Sequence, residues 1–214
     1  MKKKIIYIIT PICILILVAI ILFFNIPRVK YVYDEASDSY YVSKVYGNSK
    51  SYTISSSYND KAVVGISDRA FYKKDRLEEI ILPQSIKIIN RLAFSECTNL
   101  KKINLENVVE IQRNAFSYCY NLDNLTLNAQ KLGASVFYDC NKLKMIDLGN
   151  ELLFIGSMAF SKTAIASINI PRSVTTLGDN CFSYCNNLAN INVYGDNLKN
   201  NAYLRTLKIV NYIG

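Results

Sequence analysis

Histidine is missing from all 214 residues. Imidazole metal ligands, a histidine general base and every catalytic triad built on one go with it. Tryptophan is missing as well, so 16 tyrosines and 9 phenylalanines carry the aromatic weight. No close CxxC pair of the kind that binds zinc is present, and no serine or cysteine sits in a glycine frame suited to a nucleophile. Two adjacent carboxylate pairs occur, Asp34 with Glu35 and Glu78 with Glu79. Neighbours on a strand point to opposite faces, so these are solvated charges and not acid/base partners. The expectation is a protein that binds without catalysing and needs no cofactor. A hydrolase is only the third reading, behind a binding module and a structural scaffold.

A nucleic-acid footprint is lacking too. The net charge of +8 looks suggestive, but five basic and no acidic residues fall within residues 1–30. The remaining 20 basic residues face 17 acidic ones, a balance of +3, which is no electrostatic footprint for nucleic acid.

Those first 30 residues form a segment of their own. Lys2, Lys3 and Lys4 precede an uncharged, mostly aliphatic run over residues 5–26, closed by Pro27, Arg28 and Lys30. Twenty-two residues at ~1.5 Å each reach about 33 Å as a helix, enough to cross a ~30 Å hydrocarbon core. The run is longer than the ~7 to 15 apolar residues of a signal peptide, and Ala19 is its one small candidate for a cleavage site. One transmembrane helix is therefore expected, with a cleaved signal as the alternative. The N-terminal lysines favour the cytoplasmic side, which would leave a single-pass plasma-membrane protein with residues 31–214 outside the cell, or a secreted one after cleavage.

Beyond it a phrase of roughly 22 residues recurs six times. Phe71, Phe94, Phe116, Phe137, Phe160 and Phe182 mark it, spaced by 23, 22, 21, 23 and 22 residues. Such spacing is the signature of a solenoid. Each coil then runs into an aliphatic triplet such as Leu100, Ile103 and Leu105, which predicts a short strand. Coil five has lost one residue, so Ile165, Ile168 and Ile170 begin five residues after Phe160 where the other coils use six. Five residues before each phenylalanine stands Ile66, Ile89, Ile111, Leu132, Ile155 or Leu177. Ala93, Cys97 and Leu100 fall at helical spacing, so a short helix or tight turns are expected there. Ordering one coil costs more than its own burial returns, so coils must stack and share a core.

Cys97, Cys119, Cys140 and Cys185 hold one repeat position, with Lys74 and Thr163 replacing it in coils one and five. Stacked positions ~5 Å apart allow a bridge between Cys97 and Cys119 or Cys119 and Cys140 on distance alone. The odd total of five cysteines outside the anchor favours a buried, reduced column instead. At the front, Tyr40 to Tyr46 and Tyr52 to Ser55 predict a hairpin capping the open end of the stack. At the back, Leu198 takes the phenylalanine place and Leu204, Leu207 and Ile209 predict a shortened seventh coil. The expected division is thus 1–30 anchor, 31–62 linker and β cap, 63–214 repeat domain.

The strings RLAFSECTNL (91–100), NAFSYCYNL (114–122) and IPRSVTTLGDNCFSYC (170–185) resemble the BspA-like class of leucine-rich repeat, and YNDKAVVGI (58–66) is similar to its usual opening segment. The resemblance implies an α/β solenoid of six to seven coils with a parallel strand ladder, displayed at a cell surface. It also implies binding to extracellular-matrix, host or other cell-surface proteins. It transfers no catalytic residue.

Strand alternation leaves two residues per coil pointing away from the core. Beginning with Glu79 and Ile81 and ending with Thr206 and Lys208, the stripe includes Lys102, Asn104, Asn124, Thr126, Met145, Asp147, Ser167, Asn169, Asn190 and Asn192. Amides both donate and accept, so this mostly neutral face suits an extended protein or glycan ligand. Asn124, Leu125 and Thr126 also spell a glycosylation acceptor. The expected role is a membrane-anchored binding or adhesion module, the alternative a scaffold subunit of a cell-envelope complex.

Overall fold

The computed structural model describes Ile14 and residues 28–214. The predicted transmembrane span over residues 5–26 lies outside the described residues apart from Ile14. Among those described, no helix is long and apolar enough to cross a membrane.

From Arg28 the chain enters a hairpin, β1 (Arg28–Asp34) against β2 (Ser39–Tyr46), and turns at Gly47 (φ 80°) into β3 (Ser51–Thr53). The predicted hairpin partners therefore separate. β2 lies parallel to β5 (Lys61–Ile66), β3 lies parallel to β6 (Glu79–Ile81), and the two-residue β4 (Ser57–Tyr58) closes antiparallel on β5. Gly47 sends the chain around a corner instead of back along itself, so β2 and β3 make a full extra winding below coil one. Lys74, which replaces cysteine in coil one, donates from Nζ to the Gly47 carbonyl at 2.8 Å and ties that winding to the repeats.

Each later coil has strands on two sides. The predicted triplets supply β6, β8 (Lys102–Ile103), β10 (Asn124–Thr126), β12 (Met145–Asp147), β14 (Ser167–Ile170) and β16 (Asn190–Tyr194). A second, unpredicted row arises at the aliphatic residue five before each phenylalanine: β7 (Ile88–Ile89), β9 (Glu110–Ile111), β11 (Lys131–Leu132), β13 (Phe154–Ile155) and β15 (Thr176–Leu177). This second row, with β1, β2 and β5, is the continuous ladder. The triplet row is broken into three sheets: β3-β6-β8, β10-β12, and β14-β16 with a final strand β17 (Val210–Ile213).

The helical element expected of an α/β coil is absent from the described repeats, which makes the solenoid a β-solenoid. Two strand rows hold neighbouring coils ~4.8 Å apart, whereas a helix is ~10 Å across and does not fit that rise. Consecutive tight turns fill the corner instead. In every coil the residues two before and two after the phenylalanine, such as Asn114 and Tyr118, adopt left-handed φ values between 56° and 63°. That conformation disfavours a side chain by roughly 1–2 kcal/mol per residue. It rotates alternate N–H groups along the stack, which offsets the cost. Asn114, Phe116 and Tyr118 donate to the carbonyls of Ala134, Val136 and Tyr138 in the next coil, while Ala115, Ser117 and Cys119 close turns within their own.

Inside lies one aromatic column. Phe71 through Phe182 stack ring on ring with centroids 4.8–5.9 Å apart, and Tyr52 meets Phe71 edge-on at the cap. The first five rings are fully buried. The cysteines run beside them as free thiols: Cys97, Cys119, Cys140 and Cys185 each point Sγ at the phenylalanine carbonyl of the preceding coil, at 3.0–3.1 Å. Burial pushes the Cys97 thiol up to about 12 and raises Cys119, Cys140 and Cys185 above the usual thiol range.

The far end departs from the expected triplet. Asn201 caps a short helix, α1 (Ala202–Arg205), by accepting the Leu204 N–H, and the strand begins only at Val210. Thr206 and Lys208 are thus not strand residues; Thr206 caps α1 through Oγ1 on the Tyr203 carbonyl. Tyr203 Oη accepts the Phe182 N–H at 3.0 Å, taking the place of the carbonyl another coil would offer.

Phe116 sits mid-column between two stacked rings, so Phe116→Ala is expected to lower unfolding free energy by about 3–5 kcal/mol, measured by denaturant titration. A loss below about 1 kcal/mol contradicts the stacked interior.

Candidate binding surface

The triplet row faces solvent on its outer side, and its register brings the predicted stripe together in pairs. Asn124 lies opposite Met145 and Thr126 opposite Asp147; Ser167 lies opposite Asn190 and Asn169 opposite Asn192. Between β12 and β14 the ladder is interrupted, next to the coil that is one residue short. A shallow, open groove of about 1250 Å³ lies over this interruption. Six predicted residues line it: Asn124, Thr126, Met145, Asp147, Ser167 and Asn169. Met145 is 68% exposed, a large apolar side chain held in water.

The other four predicted residues lie outside the groove. Lys102 is exposed on β8. Asn104 is half-buried and committed to the fold, its Oδ1 accepting the Leu82 N–H and its Nδ2 donating to the Leu82 carbonyl, both at 2.8 Å. Asn190 is exposed on β16 beyond the groove. Asn192 donates to Asn169 Oδ1 at 2.9 Å and accepts from Asn211 at 3.1 Å. That three-rung amide ladder runs over β14, β16 and β17 and orients Asn169 at the groove's edge.

Three corner residues past the strands, Glu106, Asn150 and Arg172, and the last residue of β16, Tyr194, complete the groove beyond the predicted stripe. Alternation stops at the strand end, so the repeat phase assigns the three corner residues no direction, whereas Tyr194 continues the outward alternation of the longer β16. The missing residue in coil five was the available signal that the surface changes there. Gly149 makes one corner possible. Its φ of 65° favours glycine, a Cβ there would lie 2.7 Å from the Leu127 carbonyl oxygen, and its N–H is held by Asp147 Oδ1 at 3.0 Å.

One edge of this face carries a column of alternating charge. Lys50, Glu78, Lys101, Asp123 and Lys144 occupy the position just before the strand in successive windings. Glu78 pairs with Lys50 at 2.7 Å and Lys101 at 2.8 Å, while Asp123 and Lys144 approach to 3.9 Å. Coils five and six have Ala166 and Ala189 there, so the charge stops beside the groove. Lys101 and Lys50 hold the Glu78 carboxyl down at about 2.

The class of molecule is now defined: a leucine-rich repeat solenoid with a groove on its strand face. Six copies of the BspA type leucine rich repeat region match residues 64–189, and the chain belongs to that family. Solved structures agree. A leucine rich cell surface protein from Faecalibacterium prausnitzii is 26% identical with a TM-score of 0.64, over 77% of this chain and 52% of that one. A T. pallidum leucine rich repeat protein is 25% identical with a TM-score of 0.56, over 77% and 68% respectively. A leucine-rich repeat protein from Eubacterium ventriosum is 26% identical with a TM-score of 0.59, over 72% and 42%. The chain spans about half the length of the Faecalibacterium protein. No curated protein matches it.

The Glu78 pairs generate a pH dependence. A carboxyl that titrates near 4.5 unfolded and about 2 folded adds stability above pH ~4.5, and that stability fades as pH falls toward 2. Glu78→Gln is therefore expected to lower the denaturation midpoint at pH 7 and to leave a shallower decline between pH 4.5 and 2. Parallel wild-type and variant curves across that window contradict the pairing.

Proposed function

We propose that the protein is a surface-displayed binding module that holds a protein ligand in the strand-side groove, with residues 1–30 as its membrane anchor, 31–62 as cap and 63–214 as the repeat domain. One observation carries this reading: a groove of about 1250 Å³ lined by residues that alternation had already turned outward. Family membership supports a protein-binding, non-catalytic role. Likeness to the Faecalibacterium cell surface protein supports display outside the cell.

The groove combines what a protein ligand uses. Met145 offers an adaptable apolar contact, Arg172 a guanidinium, and Asn124, Ser167 and Asn169 polar groups of both signs. Lys144 and Arg172 offset Glu106 and Asp147, so recognition rests on shape and hydrogen bonds more than on net charge. Adhesion to matrix or host proteins follows if the partner lies on another cell or its surroundings. The scaffold role in an envelope complex follows if it lies in the same membrane.

The test uses the full chain in detergent micelles against immobilised matrix proteins and solubilised envelope proteins. Met145→Asp with Arg172→Glu is expected to cut retention of the true partner about tenfold or more while leaving the melting temperature within about 2 °C of wild type. Retention equal to wild type removes the groove as the site. A chain that stays in the aqueous phase without detergent and lacks residues 1–30 removes the anchor and leaves the groove reading intact.

A further inference from the structure

The turn edge of the solenoid, remote from the groove, carries a second set of exposed groups around Tyr184. We propose that Tyr184 and the two hollows beside it bind a neutral β-1,4-linked chain of gluco-configured pyranoses.

Tyr184 is the most exposed large hydrophobic side chain among the described residues, at 73%. It stands two residues after Phe182 in the left-handed conformation, φ 61°, which projects it off the edge of the stack. Its equivalents behave otherwise. Tyr118 packs edge-on against Tyr138 at 5.5 Å, whereas Tyr184 takes part in no ring pair among the described residues. Most of its side chain is open to solvent.

Two hollows of about 430 Å³ each adjoin Tyr184, which lines both. That volume is at the small end of ligand pockets and suits a single sugar ring. Asn141, Asn186 and Asn187 line the first hollow with exposed amides that make no side-chain hydrogen bond among the described residues. Each offers two donors and an acceptor, the complement of sugar hydroxyls, and the Asp139 carboxylate beside them accepts from two more. Asn180 and Ser183 line the second, already bonded to each other at 3.3 Å with donor and acceptor capacity left over.

Gluco-configured rings match this arrangement because their hydroxyls are all equatorial. Their faces present only axial C–H groups, which carry partial positive charge and are attracted to the negative face of an aromatic ring. A β-1,4 chain is extended and nearly straight, so a ring stacked on one face of Tyr184 carries its neighbours along the hollow on that face. Lys162 and Asp139 offset each other in charge, and Lys162 already lies over the Tyr138 ring at 5.1 Å, which selects a neutral glycan over a charged one. None of these residues lines the strand-side groove, so the two sites stand or fall separately.

Calorimetric titration of the full chain, in a detergent without a sugar headgroup, with cellohexaose and with chitohexaose tests the assignment. At least one hexasaccharide is expected to bind saturably. Tyr184→Ala is expected to weaken that binding about tenfold or more, Tyr184→Phe by no more than about twofold, and Asn187→Ala by an intermediate factor. Tyr184 is exposed, so its variants should melt with the wild type. No binding of either hexasaccharide overturns the proposal, as does undiminished binding by Tyr184→Ala. Equal loss in Tyr184→Phe and Tyr184→Ala overturns the stacking geometry.

Discussion

Neighbouring coils sit about 5 Å apart because three separate sets of backbone hydrogen bonds run along the stack. Two are strand rows; the third is made by alternate N–H groups of the turns around each phenylalanine. Once that rise is set, a helix has no room, residues such as Leu92 and Glu96 must adopt a left-handed backbone, and aromatic rings meet at stacking distance. The thiols follow from the same rise: Cys119 is brought onto the Phe94 carbonyl and needs no second sulfur. Even the ends obey it: Lys74 donates to the Gly47 carbonyl where other coils use a cysteine thiol, and Tyr203 supplies the acceptor that a further coil's carbonyl would have offered.

The groove arises where this regularity is relaxed. Coil five reaches its strand one residue early, and the triplet ladder is interrupted between β12 and β14 while the row through β13 continues unbroken. The molecule thus keeps one intact ladder for stability and lets the other vary. A surface that varies from coil to coil has what a specific ligand requires, because identical rungs would bind equally well in every register.

Much of this was legible in the residues. The 22-residue period identified a solenoid, and the triplets located one strand row, since both depend on burial patterns the sequence records directly. The second strand row was not legible. Pairs such as Ile88 and Ile89 are too short for a period-2 signal, and their strand state exists only through the coils on either side. Asn104 shows the same limit at the surface. Alternation assigns it to the outward row, yet its amide is committed to Leu82 in the preceding coil, a contact with no local trace. Leu204 was read as a strand residue because aliphatic spacing is common to strands and short helices, and the Asn201 cap decided the matter. Arg172 enters the groove from a corner that the repeat phase does not orient, and Tyr194 from a strand two residues longer than the predicted outward pair.

Hydrogen exchange resolved to single amides tests the central claim most directly. If turn-to-turn bonding sets the rise, the N–H groups of Phe94, Phe116 and Phe137 exchange only through global unfolding, as slowly as Ile89 and Ile111 in the continuous ladder. Exchange of those phenylalanine amides at the rate of open loops, with the strand amides still protected, would contradict it.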